Sequence, residues 1–180
     1  GFEDDFVPKG ATFTGKRKRA RATMLRVANC LMGTDLGDDT LIIGTSGRYE
    51  FKNKGIDVFS DALGQLNRDN GLQKEVLAFI LVPGGHTGPN KEMLHNMEQP
   101  YQAVASTNLY LTHYLSDPAN DPVMNRIQAK KLQNGEKDSV KVFFVPSYLN
   151  GNDGVFNMPY YDLLIGMDLT VFPSYYEPWG

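Results

Sequence analysis

The chain has 180 residues, with a hydrophobic fraction of 41% and a charged fraction of 22%, which is enough apolar material for the core of one soluble domain. The formal net charge of -3 excludes a general attraction to nucleic acid or to an anionic membrane, and no apolar run approaches the roughly 18 residues that cross a bilayer. The single cysteine, Cys30, excludes an internal disulfide and is expected to be a buried residue of a protein in the reducing cytoplasm.

Helical patterns and short apolar runs alternate along the chain. Residues 17–32 predict an amphipathic helix or a strand followed by a helix, and residues 90–115 are expected to be helical in parts. The remaining predicted elements are strand 40–44, helix 55–66, strand 76–82, helix 123–132, strand 140–145, helix 160–167 and strand 169–172.

This alternation predicts an α/β fold, a Rossmann-like parallel sheet with helices on both faces, in one domain that covers residues 1–180. Parallel sheets of this kind bind ligands beyond the carboxyl ends of their strands. The loops after the strands are therefore the places to look for function: residues 44–55, 83–89, 146–159 and 173–180.

The first of these loops carries glycines and three cations, Arg48, Lys52 and Lys54. Arginine and lysine after a strand, next to the start of a helix, suit a diphosphate. From spacing alone, a phosphate site and a solvated basic loop are about equally supported, since the pattern is neither a P-loop nor a dinucleotide fingerprint. In the last loop Glu177 stands among aromatic residues, where it suits sugar hydroxyls or is a surface carboxylate.

Three stretches taken together resemble the glycogen synthases of the animal, fungal and related bacterial type. They are Gly-Arg-Tyr-Glu-Phe-Lys-Asn-Lys-Gly at residues 47–55, Thr112-His113 with Ala119-Asn120-Asp121, and Phe-Pro-Ser-Tyr-Tyr-Glu-Pro-Trp-Gly at residues 172–180. That family consists of retaining glycosyltransferases (family 3) with two Rossmann domains, the GT-B architecture. The resemblance implies a bacterial member and its C-terminal donor-binding half, without the N-terminal domain and truncated inside the catalytic signature.

The resemblance also implies roles for particular residues. Arg48 and Lys54 match the cations that hold the donor diphosphate, and Glu177 matches a glutamate that faces the transferred sugar. Tyr148 and Tyr160 fall where the family places rings near the nucleotide base, and Gly180 is counted with the donor site.

The function implied is transfer of glucose from UDP-glucose or ADP-glucose to the non-reducing end of an α-1,4-glucan, with retention, in the cytoplasm and with no metal or other cofactor. The isolated chain is expected to recognise a nucleotide without making glycogen. The alternatives are a non-catalytic nucleotide-sugar-binding module and a related transferase with another acceptor. One departure is that residues 85–111 form a shorter stretch than the insertion of animal and fungal members.

Other residues receive structural interpretations first. The basic run at residues 16–21 is interpreted as a solvated face, and Tyr161 as a core residue. His86 is expected to serve a flexible loop and His113 to be structural, because the three histidines are too scattered for a metal site.

Overall fold

The computed structural model of the protein describes residues 10–47, 52–69, 74–99, 101 and 103–171, with the backbone alone at residues 52–54. Its helices and strands follow one another in the order α1 (Ala11–Met32), β1 (Leu41–Ser46), α2 (Lys52–Arg68), β2 (Val76–Leu81), β3 (His86–Pro89), α3 (Lys91–Glu98), β4 (His113–Leu115), a 3-10 turn (Pro118–Asn120), α4 (Pro122–Ala129), β5 (Val140–Val145), α5 (Tyr160–Leu164) and β6 (Leu169–Val171). No helix in these ranges is both long and apolar enough to cross a membrane.

Within the described residues, four strands form a parallel sheet in the order β5-β2-β1-β6. The register of β1 with β2 sets Ser46 beside Leu81, and the register of β2 with β5 sets Leu81 beside Val145. Three adjacent strands therefore end at one level, and the loops that follow them meet at one edge of the sheet. The α/β fold with a parallel sheet that the sequence predicts is confirmed.

Helices cover both faces of the sheet, because successive residues of a buried parallel strand point to opposite faces. Phe79 of β2 and Phe143 of β5 lie in the core that contains α1 and α5, with their ring centroids 5.3 Å apart. Their neighbours Ala78 and Val142 lie in the opposite core, against α2 and α4. Cys30 is buried in the first of these cores, as predicted.

The antiparallel pair of β3 and β4 is an element that the sequence does not predict. Residues 90–115 were expected to be partly helical, and α3 is the helical part. The pair brings His86 beside Leu115 and Pro89 beside His113. Both strands are too short, and β3 too rich in glycine and proline, to show an alternating pattern.

The interpretation of residues 16–21 as a solvated face is wrong for Arg17 and Arg21. The run lies inside α1, a single helix, and the side chain of Arg21 is only 8% exposed. Arg21 forms ion pairs with Asp38 and Asp168, and Arg17 forms one with Asp168. The other three cations of the run are exposed, as expected. The carboxylate of Asp168 is about 150 positions away, so the local sequence gives no sign of it.

Tyr161 is the second corrected expectation, because it is 59% exposed rather than part of the core. Leu163 is the fully buried residue of α5, and Tyr160 packs against the core at its margin. A helix of five residues is too short for its apolar face to be read from spacing.

Candidate functional site

A cavity of about 400 Å³ opens at the carboxyl edge of the parallel sheet. Its lining comes from the ends of β1 and β2, from the loop after β5 and from the start of α5, namely Ser46, Gly47, Leu81, Pro83, Ser147, Tyr148, Leu149, Asn150 and Tyr160. This is the edge at which ligands bind in open α/β folds. A mostly apolar lining with a few hydroxyl and amide groups suits a small organic ligand.

Tyr148 and Tyr160, which the resemblance places near a nucleotide base, both line this cavity. Tyr148 is 76% exposed, so its side chain is accessible to a ligand from solvent. Tyr160 is half-buried, and its amide donates to the carbonyl oxygen of Leu149 at 3.0 Å. The structure thus brings the two rings to one cavity, and their role in binding stays a prediction.

The hydroxyl group of Tyr160 lies 2.5 Å from Oγ of Ser46, the last residue of β1. Sequence reasoning missed Ser46. The signal that could have found it is its position, because a hydroxyl at the end of a parallel strand, next to Gly47, faces the edge where ligands bind.

The loop after β5 is shaped by local hydrogen bonds around Asp153. Its carboxylate accepts the amide hydrogens of Val155, Phe156 and Asn157 at 2.8 to 3.0 Å. Gly154, with φ of 86°, sits inside this turn, where a side chain would be strained. These bonds give a fixed conformation to a segment that would otherwise be an irregular loop.

His113 holds the same loop from the neighbouring β4. The imidazole is fully buried, and its Nε2 lies 2.8 Å from the carbonyl oxygen of Asp153. A carbonyl can only accept, so Nε2 carries the hydrogen, and Nδ1 accepts from the hydroxyl of Thr112 at 2.9 Å. The structural role predicted for His113 is confirmed by this burial and these bonds.

Burial lowers the pKa of His113 below its usual value by more than the Asp153 carbonyl raises it, and the ring of His86 lowers it further. The two imidazole centroids are 4.8 Å apart, and Nδ1 of His86 accepts the amide hydrogen of Gly88. His86 is therefore bound within β3 rather than in a loose loop. The described residues contain no group of three potential metal ligands.

Three of the predicted site residues, Arg48, Glu177 and Gly180, lie outside the described residues. Lys54 lies in the first turn of α2, where the structure describes the backbone. Gly47 lines the cavity and Arg48 is the next residue of the chain. The roles assigned to these four residues stay predictions.

Comparison with known proteins gives one consistent match. The family model described as Glycogen synthase matches residues 30–107 and 101–180. Glycogen [starch] synthase isoform 1 of Saccharomyces cerevisiae is 31% identical over 203 residues, which cover 79% of this chain and 29% of the relative. Glycogen [starch] synthase of Neurospora crassa and the liver form of Rattus norvegicus are each 28% identical over 79% of this chain, covering 28% and 27% of those relatives. The chain spans less than a third of the length of these relatives.

The comparisons also show a difference in length between this chain and its yeast relative. The yeast alignment runs over 203 residues although it covers 79% of a chain of 180, so the relative carries additional residues within it. The shorter length of residues 85–111 relative to animal and fungal members stays a prediction.

Proposed function

The chain belongs to the glycogen synthase family, and we propose that it is the donor-binding half of an enzyme that transfers glucose from a nucleoside-diphosphate glucose to the non-reducing end of an α-1,4-glucan, with retention. The observation that carries this proposal is the cavity at the carboxyl edge of the sheet, with Tyr148 and Tyr160 in its wall. A nucleotide needs an aromatic or apolar surface for its base and cations for its phosphates. This edge of the sheet offers the aromatic and apolar surface, and the sequence next to it offers the cations.

The two tyrosines form the base end of the proposed site. Stacking of a base on an aromatic side chain contributes about 1–3 kcal/mol and tolerates different bases. Both uracil and adenine therefore suit the rings, and the donor is UDP-glucose or ADP-glucose.

The phosphate end begins at Gly47. We assign the diphosphate to Arg48 and Lys54, and the N-terminus of α2, a helix of 17 residues, adds a favourable field for an anion. As the bond to glucose lengthens, negative charge develops on the leaving phosphate. Fixed cations stabilise that state more than the bound donor and so lower the barrier.

The remaining parts of the proposal come from the resemblance. Glu177 faces the transferred sugar, and Gly180 belongs to the same donor site. An N-terminal GT-B domain supplies the other wall of the cleft and contacts to the glucan acceptor. The enzyme works in the cytoplasm, and no metal or other cofactor is needed because arginine and lysine supply the positive charge.

The proposal is tested with the natural full-length protein and both donors. We expect glucan elongation with UDP-glucose or ADP-glucose, and a loss of at least about 100-fold in kcat/KM for Arg48→Ala and for Lys54→Ala, because each removes a charge that stabilises the transition state. Lys52→Ala is the matched control, since Lys52 is a cation of the same first turn of α2 as Lys54 and the resemblance gives it no role. Glu177→Ala is expected to abolish elongation while the protein still binds the nucleoside diphosphate.

Two results would overturn parts of the proposal. If Arg48→Ala binds UDP and ADP as the wild-type protein does, the phosphate assignment is wrong. If the full-length protein binds a donor yet never elongates a glucan, the glucan-elongating activity is wrong, and the chain belongs to a nucleotide-sugar-binding module or to a related transferase with another acceptor.

A further inference from the structure

Ser46 makes a polar contact across the candidate cavity that no role assigned so far uses. It is the last residue of β1, level with Leu81 of β2, and it is half-buried. Its Oγ lies 2.5 Å from the hydroxyl of Tyr160, which is 114 positions later in the chain. The contact joins the end of the central strand to the first residue of α5.

Besides its packing at the margin of the core, Tyr160 makes three contacts within the described residues, and one of them reaches the tip of its side chain. Its amide bonds to the carbonyl oxygen of Leu149, which fixes the backbone. Its ring meets the edge of Tyr161, with centroids 5.2 Å apart and planes at 71°. In the part of the chain that the structure describes, the bond to Ser46 restrains the hydroxyl end, and with it the direction that the ring takes over the cavity.

A ring that is held before a ligand arrives loses little freedom when the ligand stacks on it, and this preorganisation strengthens binding. Ser46 is also next to Gly47, which lines the cavity and precedes Arg48 in the chain. Ser46 thus bonds to the ring at the base end and immediately precedes Gly47, where the phosphate end begins.

We propose that Ser46 is a positioning residue of the donor site, whose hydroxyl holds the Tyr160 ring in the orientation that accepts the nucleotide base. This inference rests on the proposed function, because it assumes that a nucleotide occupies the cavity. It assigns no chemical step to Ser46, which acts through Tyr160.

The test measures binding of two ligands to the natural full-length protein by calorimetry: UDP, which has a base, and inorganic pyrophosphate, which has none. Ser46→Ala is expected to weaken UDP binding by about 3- to 10-fold, the range of one net hydrogen bond, and to leave pyrophosphate binding unchanged. Ser46→Thr keeps the hydroxyl and is expected to bind UDP as the wild-type protein does.

A second variant tests the partner of the bond. Tyr160→Phe keeps the ring and removes only the hydroxyl, so it is expected to weaken UDP binding as much as Ser46→Ala does. The double variant is expected to bind UDP no more weakly than either single variant, because both changes remove the same bond.

Three outcomes would overturn the inference: unchanged UDP binding by Ser46→Ala, equal weakening of UDP and pyrophosphate, and effects of the two single variants that multiply in the double variant. The failure of the proposed function looks different. If the wild-type protein does not bind UDP or ADP, the proposal for the whole site is wrong. If wild type and Ser46→Ala both bind UDP normally, only the role of Ser46 is wrong.

Discussion

His113 shows how a single buried residue supports a site that it does not touch. Its Nε2–H bonds to the carbonyl oxygen of Asp153, and the turn around Asp153 follows directly on Ser147–Asn150, the part of the loop that lines the cavity. The same ring bonds to Thr112, whose amide in turn donates to the carbonyl oxygen of Phe144 in β5. The imidazole therefore ties the loop after β5 to the strand pair β3–β4.

We expect His113→Ala to lower the free energy of unfolding by about 2–3 kcal/mol, because it leaves the Asp153 carbonyl without its donor and opens a cavity. His113→Gln is expected to recover part of this loss, since the amide nitrogen of glutamine can stand near the position of Nε2. The measurement is urea unfolding followed by circular dichroism.

His95→Ala is the control for that experiment, because His95 lies on the exposed side of α3. It is expected to change stability by less than about 0.5 kcal/mol. Equal stability of His113→Ala and His95→Ala would show that the buried imidazole does not support the loop.

At the scale of elements, Arg21 fastens the long helix α1 to two strands of the sheet. Its five N–H groups have five acceptors: Nε donates to the carboxylate of Asp38, Nη1 to Asp168 and the Gly166 carbonyl, and Nη2 to the carbonyls of Asp38 and Thr40. These acceptors lie just before β1 and just before β6. Burial alone would lower the pKa of Arg21, but its bonds to Asp38 and Asp168 raise it, so the guanidinium stays charged.

We expect Arg21→Ala to destabilise the protein by about 3–5 kcal/mol, the usual effect of removing one partner from a buried ion pair. Arg21→Lys keeps the charge but cannot fork to both sides, so it is expected to restore only part of that loss. Thermal or urea unfolding measures both. Lys18→Ala removes an exposed cation of the same helix and is expected to leave stability nearly unchanged. A loss of stability as large as that of Arg21→Ala would show that the buried bonds of Arg21 are not what holds α1 to the sheet.

The elements that the sequence predicts well are those with a strong local pattern. The strands Val76–Leu81 and Val140–Val145 are buried at every position, and their apolar runs, which only Lys141 interrupts, identify them. The bonds of Arg21 depend on partners that are distant in the chain. The pair β3–β4 consists of strands of only four and three residues. No local pattern encodes such contacts, which is why the basic run was misinterpreted.

The same distinction applies to the candidate site. Tyr148 and Tyr160 were placed at the base end through the resemblance, and both line one cavity. Ser46 and the turn at Asp153 were not predicted, because their importance comes from a bond across 114 positions and from a hydrogen-bonded loop conformation. The resemblance predicts roles for individual residues, and the structure adds the contacts around Tyr160 and Asp153 that no motif encodes.

At the scale of the whole molecule, Asp168 connects the central strand β1, the edge strand β6 and α1. Its Oδ2 accepts from the amide of Ile42 at 2.8 Å and from Arg21 at 2.9 Å, and its Oδ1 accepts from Arg17 at 2.8 Å. Burial alone would raise the pKa of Asp168, but these bonds from Ile42, Arg21 and Arg17 outweigh it and hold the pKa below its usual value. Folding therefore favours the charged carboxylate.

This direction sets the pH dependence of stability. An aspartate in the unfolded chain has a pKa of about 3.9, so below that pH the unfolded chain takes up a proton that folded Asp168 resists, and stability falls as the pH drops through the folded pKa. His113 acts in a higher window: its lowered pKa means that the unfolded chain gains a proton first, so stability begins to fall below about pH 6.5.

Urea unfolding of wild type and Asp168→Asn between pH 7 and pH 3 separates the two windows. We expect Asp168→Asn to be less stable than wild type at pH 7. The difference is expected to begin to shrink below about pH 4, where the unfolded wild-type chain takes up a proton at Asp168 that the folded protein resists. The decline between pH 6.5 and pH 5 is expected to persist in Asp168→Asn and to weaken in His113→Gln. Asp35→Asn, which changes an exposed carboxylate before β1, is the control. A difference in stability between wild type and Asp168→Asn that stays constant down to pH 3 would show that ionisation of Asp168 does not stabilise the fold. The geometry of its hydrogen bonds would then be what joins β1, β6 and α1.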